Sequence, residues 1–320
     1  MKSPEYDRHE LTQRIKSMAS ELGFDACGIA EANRLDDDGQ RLDDWLTDGF
    51  QAGMGYMERH KEKRTDPRLL VPGARSVIVL LMNYYPPIKL PAENNYEIAR
   101  YAYGRDYHFV LKEKLHLIIK ELQRVSNPGV GNPSRAFTDS APVLERAWAE
   151  RAGLGFIGKN TCLIHPRLGS FVFIAEIITR IELEYDTDKV NDMCGGCTRC
   201  IDACPTAAIT APRRLDARKC ISFHTIESRE EPPDELRENF GNLIFGCDIC
   251  QQVCPWNRKA PPHHEPQFLP NKDLQEMTRE RWESLDPERF EELFHESAIQ
   301  RASYDGLMRN ILFLKKNEGK

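Results

Sequence analysis

The chain has 320 residues, 40% of them hydrophobic, and its 44 Lys+Arg against 50 Asp+Glu give a formal net charge of -6. That apolar content supports a packed core and excludes a disordered chain. The acidic balance disfavours a protein that coats nucleic acid non-specifically, though it leaves room for a local basic patch that docks a folded RNA.

The N-terminus, MKSPEYDRHELTQ, carries no apolar run, so no secretory leader is expected. Residues 7 to 22 read as an amphipathic helix, with Leu11, Ile15, Met18, Ala19 and Leu22 on one face and Gly23 as its stop. Val77 to Met82 reads as a buried strand after a Pro72-Gly73 turn. Leu111, Leu115, Ile118, Ile119 and Leu122 mark a helix over roughly 107 to 125, ended by Asn127-Pro128-Gly129. A further helix starts near Ser140-Ala141-Pro142, turns Leu144, Ala147 and Trp148 inward and stops at Gly153. Ser170 to Thr179 is another buried strand, its apolar run broken by Glu176. No apolar stretch is long enough to span a bilayer. This mixture predicts an α/β layered domain over 1–185. Short turns and cysteines follow over 186–260. Residues 261–320 read as a polar linker with Pro261, Pro262 and Pro266, then a helical tail around 287–315.

Eight of the ten cysteines lie between 194 and 254. A cytosolic address is expected, and in a reducing compartment clustered cysteines are metal ligands rather than disulfides. CGGCTRCIDACP spaces Cys194, Cys197, Cys200 and Cys204 at x2, x2, x3 before Pro205, the run of bacterial two-cluster ferredoxins. Cys-x2-Cys-x2-Cys wraps one cuboidal cluster, and three further residues carry the fourth thiolate to its neighbour. CDICQQVCP repeats the ending with Cys247, Cys250 and Cys254, and Cys220, 27 positions upstream of Cys247, replaces the missing first cysteine. The crossing rule gives one [4Fe-4S] cluster to Cys194, Cys197, Cys200 and Cys254, and the other to Cys204, Cys220, Cys247 and Cys250. Zinc is the competing reading, weakened by two such endings in one chain. Cys27 and Cys162 sit in apolar contexts and read as core thiols.

A two-cluster electron carrier needs only the cysteine region, so the long domain before it calls for another role. YGRDYH (103–108), TDSAPVLERAWAERAGLGFIGKN (138–160), CGGCTRCIDACPTAAI, RKCISF (218–223) and FGCDICQQVCPWN (245–257) together resemble the epoxyqueuosine reductase family. The resemblance covers nearly all of 5–260 and continues through RASYDGLMRNIL. It implies a cobalamin enzyme related to reductive dehalogenases, which removes the epoxide oxygen of epoxyqueuosine at the tRNA wobble position. The fold it implies is an α/β cobalamin domain followed by a ferredoxin-like domain with two [4Fe-4S] clusters. Its electrons come singly from an external donor such as a flavodoxin or ferredoxin, and the chain is expected to act as a monomer.

The resemblance assigns the proton donor to Asp139. Opening an epoxide leaves an oxyanion, and a carboxylic acid protonates it at neutral pH only if burial raises its pKa. The bland alternative makes Asp139 a helix cap. Pro142 would then be N3, with no N–H to donate, whereas Ser140 as cap places Val143 there. For cobalamin the resemblance implies Arg64, Asp139, Leu163, Ile174, Ser222, Asp248 and Ile249. Leu163 and Ile174 read equally as core, and Arg64 as a solvated charge in KEKR. DYHFVL opens like a cobalt-ligating Asp-x-His-x-x-Gly signature, but Leu111 stands at the glycine, so His108 is not assigned to cobalt. Tyr107 and His108 line the pocket or are structural. Arg213, Arg214, Arg218, Lys219, Arg258 and Lys259 form the local basic patch for an anticodon loop. The C-terminal helical-repeat extension of longer family members is not seen. Two other readings stand beside this one: a reductase of small halogenated or epoxide substrates on the same scaffold, and an electron-transfer module without cobalamin.

Overall fold

The computed structural model describes residues 6–125 and 133–316. The first helix, α1 (Arg8–Glu21), starts where the Asp7 carboxylate accepts the Glu10 N–H, and it ends before Gly23, at φ +86°. Then follow β1 (Ala26–Glu31), α2 (Asp36–Thr47), α3 (Lys61–Thr65), β2 (Ser76–Asn83) and β3 (Glu97–Ile98). Asp106 caps α4 (Tyr107–Arg124), whose span is the one the periodicity predicts. The expected stop at Asn127-Pro128-Gly129 lies outside the described residues. Next come β4 (Ser134–Phe137), α5 (Glu145–Arg151), the small ladder of β5 (Phe156–Ile157) and β6 (Leu163–Ile164), and β7 (Val172–Thr179).

The main sheet has the order β1-β2-β7-β4, each pair antiparallel. Its two faces are both covered. Ile78, Leu80 and Met82 with Phe173, Ala175 and Ile177 pack against α1 and α4. Val77, Val79, Leu81 and Ile178 pack against α5 and its surroundings. That explains why every residue of β2 is buried and its sequence shows no polar alternation.

The helix expected to start at Ser140 starts at Glu145 instead. Asp139 is in the left-handed region at φ 54°, and Pro142 disfavours helical geometry at Ala141, so residues 139–143 form an irregular turn. Neither Asp139 nor Ser140 caps α5; the N-cap position is Leu144.

In the cysteine region, α6 (Arg199–Asp202) follows the first Cys-x2-Cys and α7 (Ile249–Gln252) overlaps the second, separated by β8 (Ile209–Ala211), β9 (Arg214–Leu215) and β10 (Leu243–Phe245). A π-helical turn, Phe223–Glu227, comes directly after Cys220. β10 pairs in parallel with β3, which stitches this region to the first one.

Residues 261–316 correct the expectation of a linker and tail. The Asn83 side chain donates to the Pro261 carbonyl (2.8 Å), the His263 N–H donates to the Tyr85 carbonyl (2.8 Å), and Phe268 joins the core beneath the sheet. Beyond it, α8 (Lys272–Gln275), α9 (Arg279–Glu283), α10 (Pro287–Phe294) and α11 (Ser303–Lys315) build a core from Trp282, Phe290, Phe294, Leu307, Ile311 and Phe313. Tyr96, Ile98, Phe240 and Phe245 share that core, so the segment is part of the body. Its apolar residues are spread thinly through polar sequence, which hid them. Among the described residues no helix is long and apolar enough to cross a membrane.

Candidate active site

Sheet register places the predicted acid. Phe137 on β4 pairs with Glu176 on β7, so the next residues leave the sheet beside Ile174, where the Thr138 hydroxyl donates to the Ile174 carbonyl (3.0 Å). The left-handed turn at Asp139 then aims its carboxylate at the start of α4. The Tyr107 hydroxyl donates to Asp139 Oδ2 (2.7 Å), and His108 Nε2 lies 3.6 Å from the same oxygen. The other ring nitrogen, Nδ1, is 2.7 Å from Asp106 Oδ1. Tyr107 is itself sandwiched between the His108 and Phe173 rings, with both centroids at 4.2 Å, which fixes where its hydroxyl points.

The electrostatics depart from expectation. Burial pushes Asp139 up, but the bonds from His108 and Tyr107, with Arg301 adding, hold it below the ordinary carboxylate range. The same contacts, Asp106 foremost, overcome burial at His108 and raise it to about 9. At neutral pH the proton of this trio therefore sits on His108, not on Asp139. Protein crowds the Asp139 carboxyl on most sides, yet its open side leaves the side chain 63% exposed, and a substrate would meet that open side.

The other residues implied for cobalamin divide. Arg64 is no solvated surface charge: it is 8% exposed, one Nη2–H donates to the Tyr56 carbonyl (2.7 Å), and its Nε has no partner among the described residues. Tyr56 feels Glu227, Arg301, Asp139 and Arg64, which brings these groups into one neighbourhood. Leu163 is buried in the layer under α5 and Ile174 packs partly against it, as core residues would. Ser222 turns its N–H and hydroxyl to the Cys220 sulfur, and the Ile249 N–H points at Cys247. The Asp248 carboxylate is committed to Arg100, accepting its backbone N–H at 2.8 Å with the guanidinium 3.5 Å away. Tyr101, half-buried, lies within electrostatic reach of both Asp139 and Asp248.

The eight cysteines sort by which thiols face each other. Cys200 feels Cys194 and Cys254, and Cys254 feels Cys194 and Cys197. Cys247 feels Cys220 and Cys204, and Cys250 feels Cys247 and Cys220. Cys162 also acts on Cys250 and on Cys254. Backbone N–H groups aim at the sulfurs, as at Ala208 to Cys204 Sγ (3.2 Å), which suits thiolates bound to iron–sulfur clusters. Cys27 is a core thiol pushed up to about 12 by burial. Cys162 is not simply core: it hydrogen-bonds to Cys250, which lowers it.

The basic patch is largely compensated within the chain. Arg214 pairs with Asp48, Arg218 forks onto Asp216 (2.8 Å), and Arg213 lies 3.5 Å from Glu150 and 3.6 Å from Asp192. Arg258 instead lines an open groove between α6 and α7, with Arg199, Asp202, Ala203, Gln252 and Val253.

Sequence reasoning missed several neighbours of the site. Arg301, from the supposed tail, is held bidentate by Glu227 of the π-helical turn (2.8 and 3.1 Å) and acts on Asp139. Its visible signal was RASYDGLMRNIL, whose Arg309 and Asn310 tie α11 to the backbone of the turn after Cys220. Glu145 and Glu176 were also missed, although Glu176 interrupts an apolar strand.

Comparison with known proteins agrees. Residues 64–140 match the family model for epoxyqueuosine reductase QueG, DUF1730, and residues 193–257 match the 4Fe-4S double cluster binding domain. The chain is 50% identical to an epoxyqueuosine reductase of Cellulophaga algicola over 94% of this chain and 97% of that protein. It superposes with a TM-score of 0.87 on an epoxyqueuosine reductase solved with a tRNA-Tyr epoxyqueuosine-modified stem loop, at 33% identity, covering 95% of this chain and 80% of that one. A Bacillus subtilis epoxyqueuosine reductase, solved with its catalytic aspartate loop swung out of the active site, gives a TM-score of 0.86 at 33% identity, covering 95% and 81%. A catabolic reductive dehalogenase shares the fold at 14% identity and a TM-score of 0.52, covering 99% of this chain and 38% of that one. By these identities and coverages, the chain belongs to the epoxyqueuosine reductase family.

Proposed function

We propose that this chain reduces epoxyqueuosine in tRNA to queuosine, with Asp139 as its proton donor and with cobalamin and two [4Fe-4S] clusters as its electron-carrying cofactors. The observation that carries this reading is the exposed Asp139 carboxylate, set by its turn beneath the Tyr107 hydroxyl and the His108 imidazolium. Arg64 fits a cofactor role, because its buried Nε is left without a partner in the protein. Leu163, Ile174, Ser222, Asp248 and Ile249 complete the expected cobalamin surroundings. Cys194, Cys197, Cys200 and Cys254 hold one cluster, and Cys204, Cys220, Cys247 and Cys250 the other. When bound, these groups would supply the reaction's two electrons, received singly from the external donor.

The protein's own part is proton supply. Removing an epoxide oxygen as water consumes two electrons and two protons. His108, 3.6 Å away and charged at neutral pH, passes its proton to Oδ2, and Asp139 relays it as charge builds on the departing oxygen; the imidazole is then recharged for the second proton. Asp106 keeps the imidazole oriented through Nδ1. The Tyr107 hydroxyl steadies the carboxylate between the two transfers.

The tRNA presents the modified base of its anticodon loop at this open side. Phosphates meeting Arg214 or Arg218 must compete with Asp48 and Asp216, so docking depends on ionic strength. The donor is a small one-electron protein such as a flavodoxin or ferredoxin, and the enzyme works as a cytosolic monomer. The deciding experiment is an anaerobic assay of the cluster-reconstituted chain on epoxyqueuosine-containing tRNA, with and without cobalamin. Queuosine should form only with cobalamin and reductant present. No queuosine from the fully loaded protein would overturn the reading.

A further inference from the structure

Behind Asp139 lies a pair of acids that proton delivery, as described, does not use. Period-two alternation along β7 sends Phe173, Ala175 and Ile177 to the α4 face, and so sends Ile174, Glu176 and Ile178 to the α5 face. Glu176 consequently stands between Val79 on β2 and Phe137 on β4, both in the apolar core. It is 0% exposed, and neither carboxyl oxygen has a hydrogen-bond partner among the described residues. Its polar company is Glu145, the first residue of α5, with the Asp139 carboxylate beyond.

Glu145 turns Oε1 back onto the backbone N–H of Asp139. That N–H belongs to a non-glycine residue in the left-handed region, a conformation that persists only where surrounding contacts impose it. Burial pushes Glu176 well above the ordinary range, and burial with the neighbouring Asp139 raises Glu145 to about 8. Glu145 is therefore largely protonated at neutral pH, and burial favours the neutral form of Glu176 as well. The other charged groups acting on Glu145 are Arg146 on its own helix and His108 on α4. Folding alone gains nothing from two carboxyls in this layer, because apolar side chains would fill it without desolvating polar groups.

We propose that Glu145, backed by Glu176, is the positioning residue for the catalytic loop: it grips the Asp139 N–H and holds the 138–142 turn inward, with the carboxylate under Tyr107 and His108. The inference rests on the reading of Asp139 as the proton donor. The Bacillus subtilis relative with its catalytic aspartate loop swung out shows that such a loop has a second position there. In this chain the carboxyl pair decides between the two.

Hydrogen–deuterium exchange of the full chain at pH 7 reads the latch without substrate. Glu145→Leu should speed exchange of the Asp139 amide by about tenfold or more, while Glu145→Gln, whose amide oxygen still accepts the bond, should keep it within about threefold. Glu176→Leu removes only the backing and should give an intermediate rate of about threefold; it also carries the test if Glu145→Leu fails to fold. On epoxyqueuosine-containing tRNA, Glu145→Leu should lose kcat by about tenfold with KM held within about twofold, and Glu145→Gln should restore it. Unchanged Asp139 exchange in both leucine variants overturns the latch, whatever the activity. A wild-type chain inert toward that tRNA overturns the reading of the reaction instead, and leaves the exchange result standing.

Discussion

The cysteine region and the layered domain assemble their chemistry in opposite ways. Between Cys194 and Cys204 the ligands follow one another along the chain, and the short turns that carry them are set by spacing. The site around Asp139 has no such order. Tyr56, Arg64, Tyr107, Asp139, Glu145, Glu176 and Arg301 come from five separate stretches of the chain, which the β2-β7-β4 register and α11 help bring together. A local motif survives as a pattern in sequence, whereas a site built across a sheet does not.

The sharpest way to break this comparison is at a long-range element of the cysteine region. Cys254 feels Cys194 and Cys197, about 60 positions upstream, and Cys162. Cys254→Ala should abolish turnover and lower iron from about eight to about four atoms per chain, keeping the cluster that includes Cys250. Iron analysis with electron paramagnetic resonance of the reduced protein distinguishes the two clusters. Loss of the Cys250 cluster instead would mean ligation without crossing.

Asp139→Asn comes next in size. The side chain keeps its shape but cannot donate an acidic proton, so kcat should fall by about 10²–10⁴-fold. Iron content and cluster spectra should not change, because Asp139 touches no cysteine. A variant that turns over normally on tRNA would remove Asp139 from the reaction. One that loses iron would show that the two regions are not separable.

How far the sequence reached follows the same division. The helices at 8–21 and 107–124 and the strands at 76–83 and 172–179 were legible because burial imposes periodicity or an unbroken apolar run. The start of α5 was not, since a left-handed Asp139 is invisible to capping rules. The aromatic core of 261–316 was diluted by charge. Asp139 itself was found through resemblance, but its protonation state was misread, because that depends on Tyr107 and His108, 32 and 31 positions away in the chain. Glu176 was legible as an interruption in a strand, although nothing local says what it faces.

The smallest effect tests whether His108 belongs to the site or only to the first turn of α4. Asp106 accepts both the His108 backbone N–H (2.9 Å) and its ring Nδ1 (2.7 Å), an arrangement a purely structural histidine would also show. Coupling to Asp139 is what distinguishes the two. The folded-state pKa of about 9 lies above the ordinary 6.5, so the stability His108 contributes is fully present below 6.5 and is lost as pH rises through about 9. The wild-type chain should therefore lose more thermal stability than His108→Gln between pH 7 and pH 10. His108→Gln should also lower kcat by about tenfold, since Asp139 is then recharged only from solvent. In an NMR titration of the ring, Asp106→Asn should lower the His108 pKa most, with its shorter contact, and Asp139→Asn should lower it less, because that carboxylate stands at 3.6 Å. If Asp139→Asn leaves the titration where it was, the imidazolium serves the helix end alone, and the proton must reach Asp139 from elsewhere.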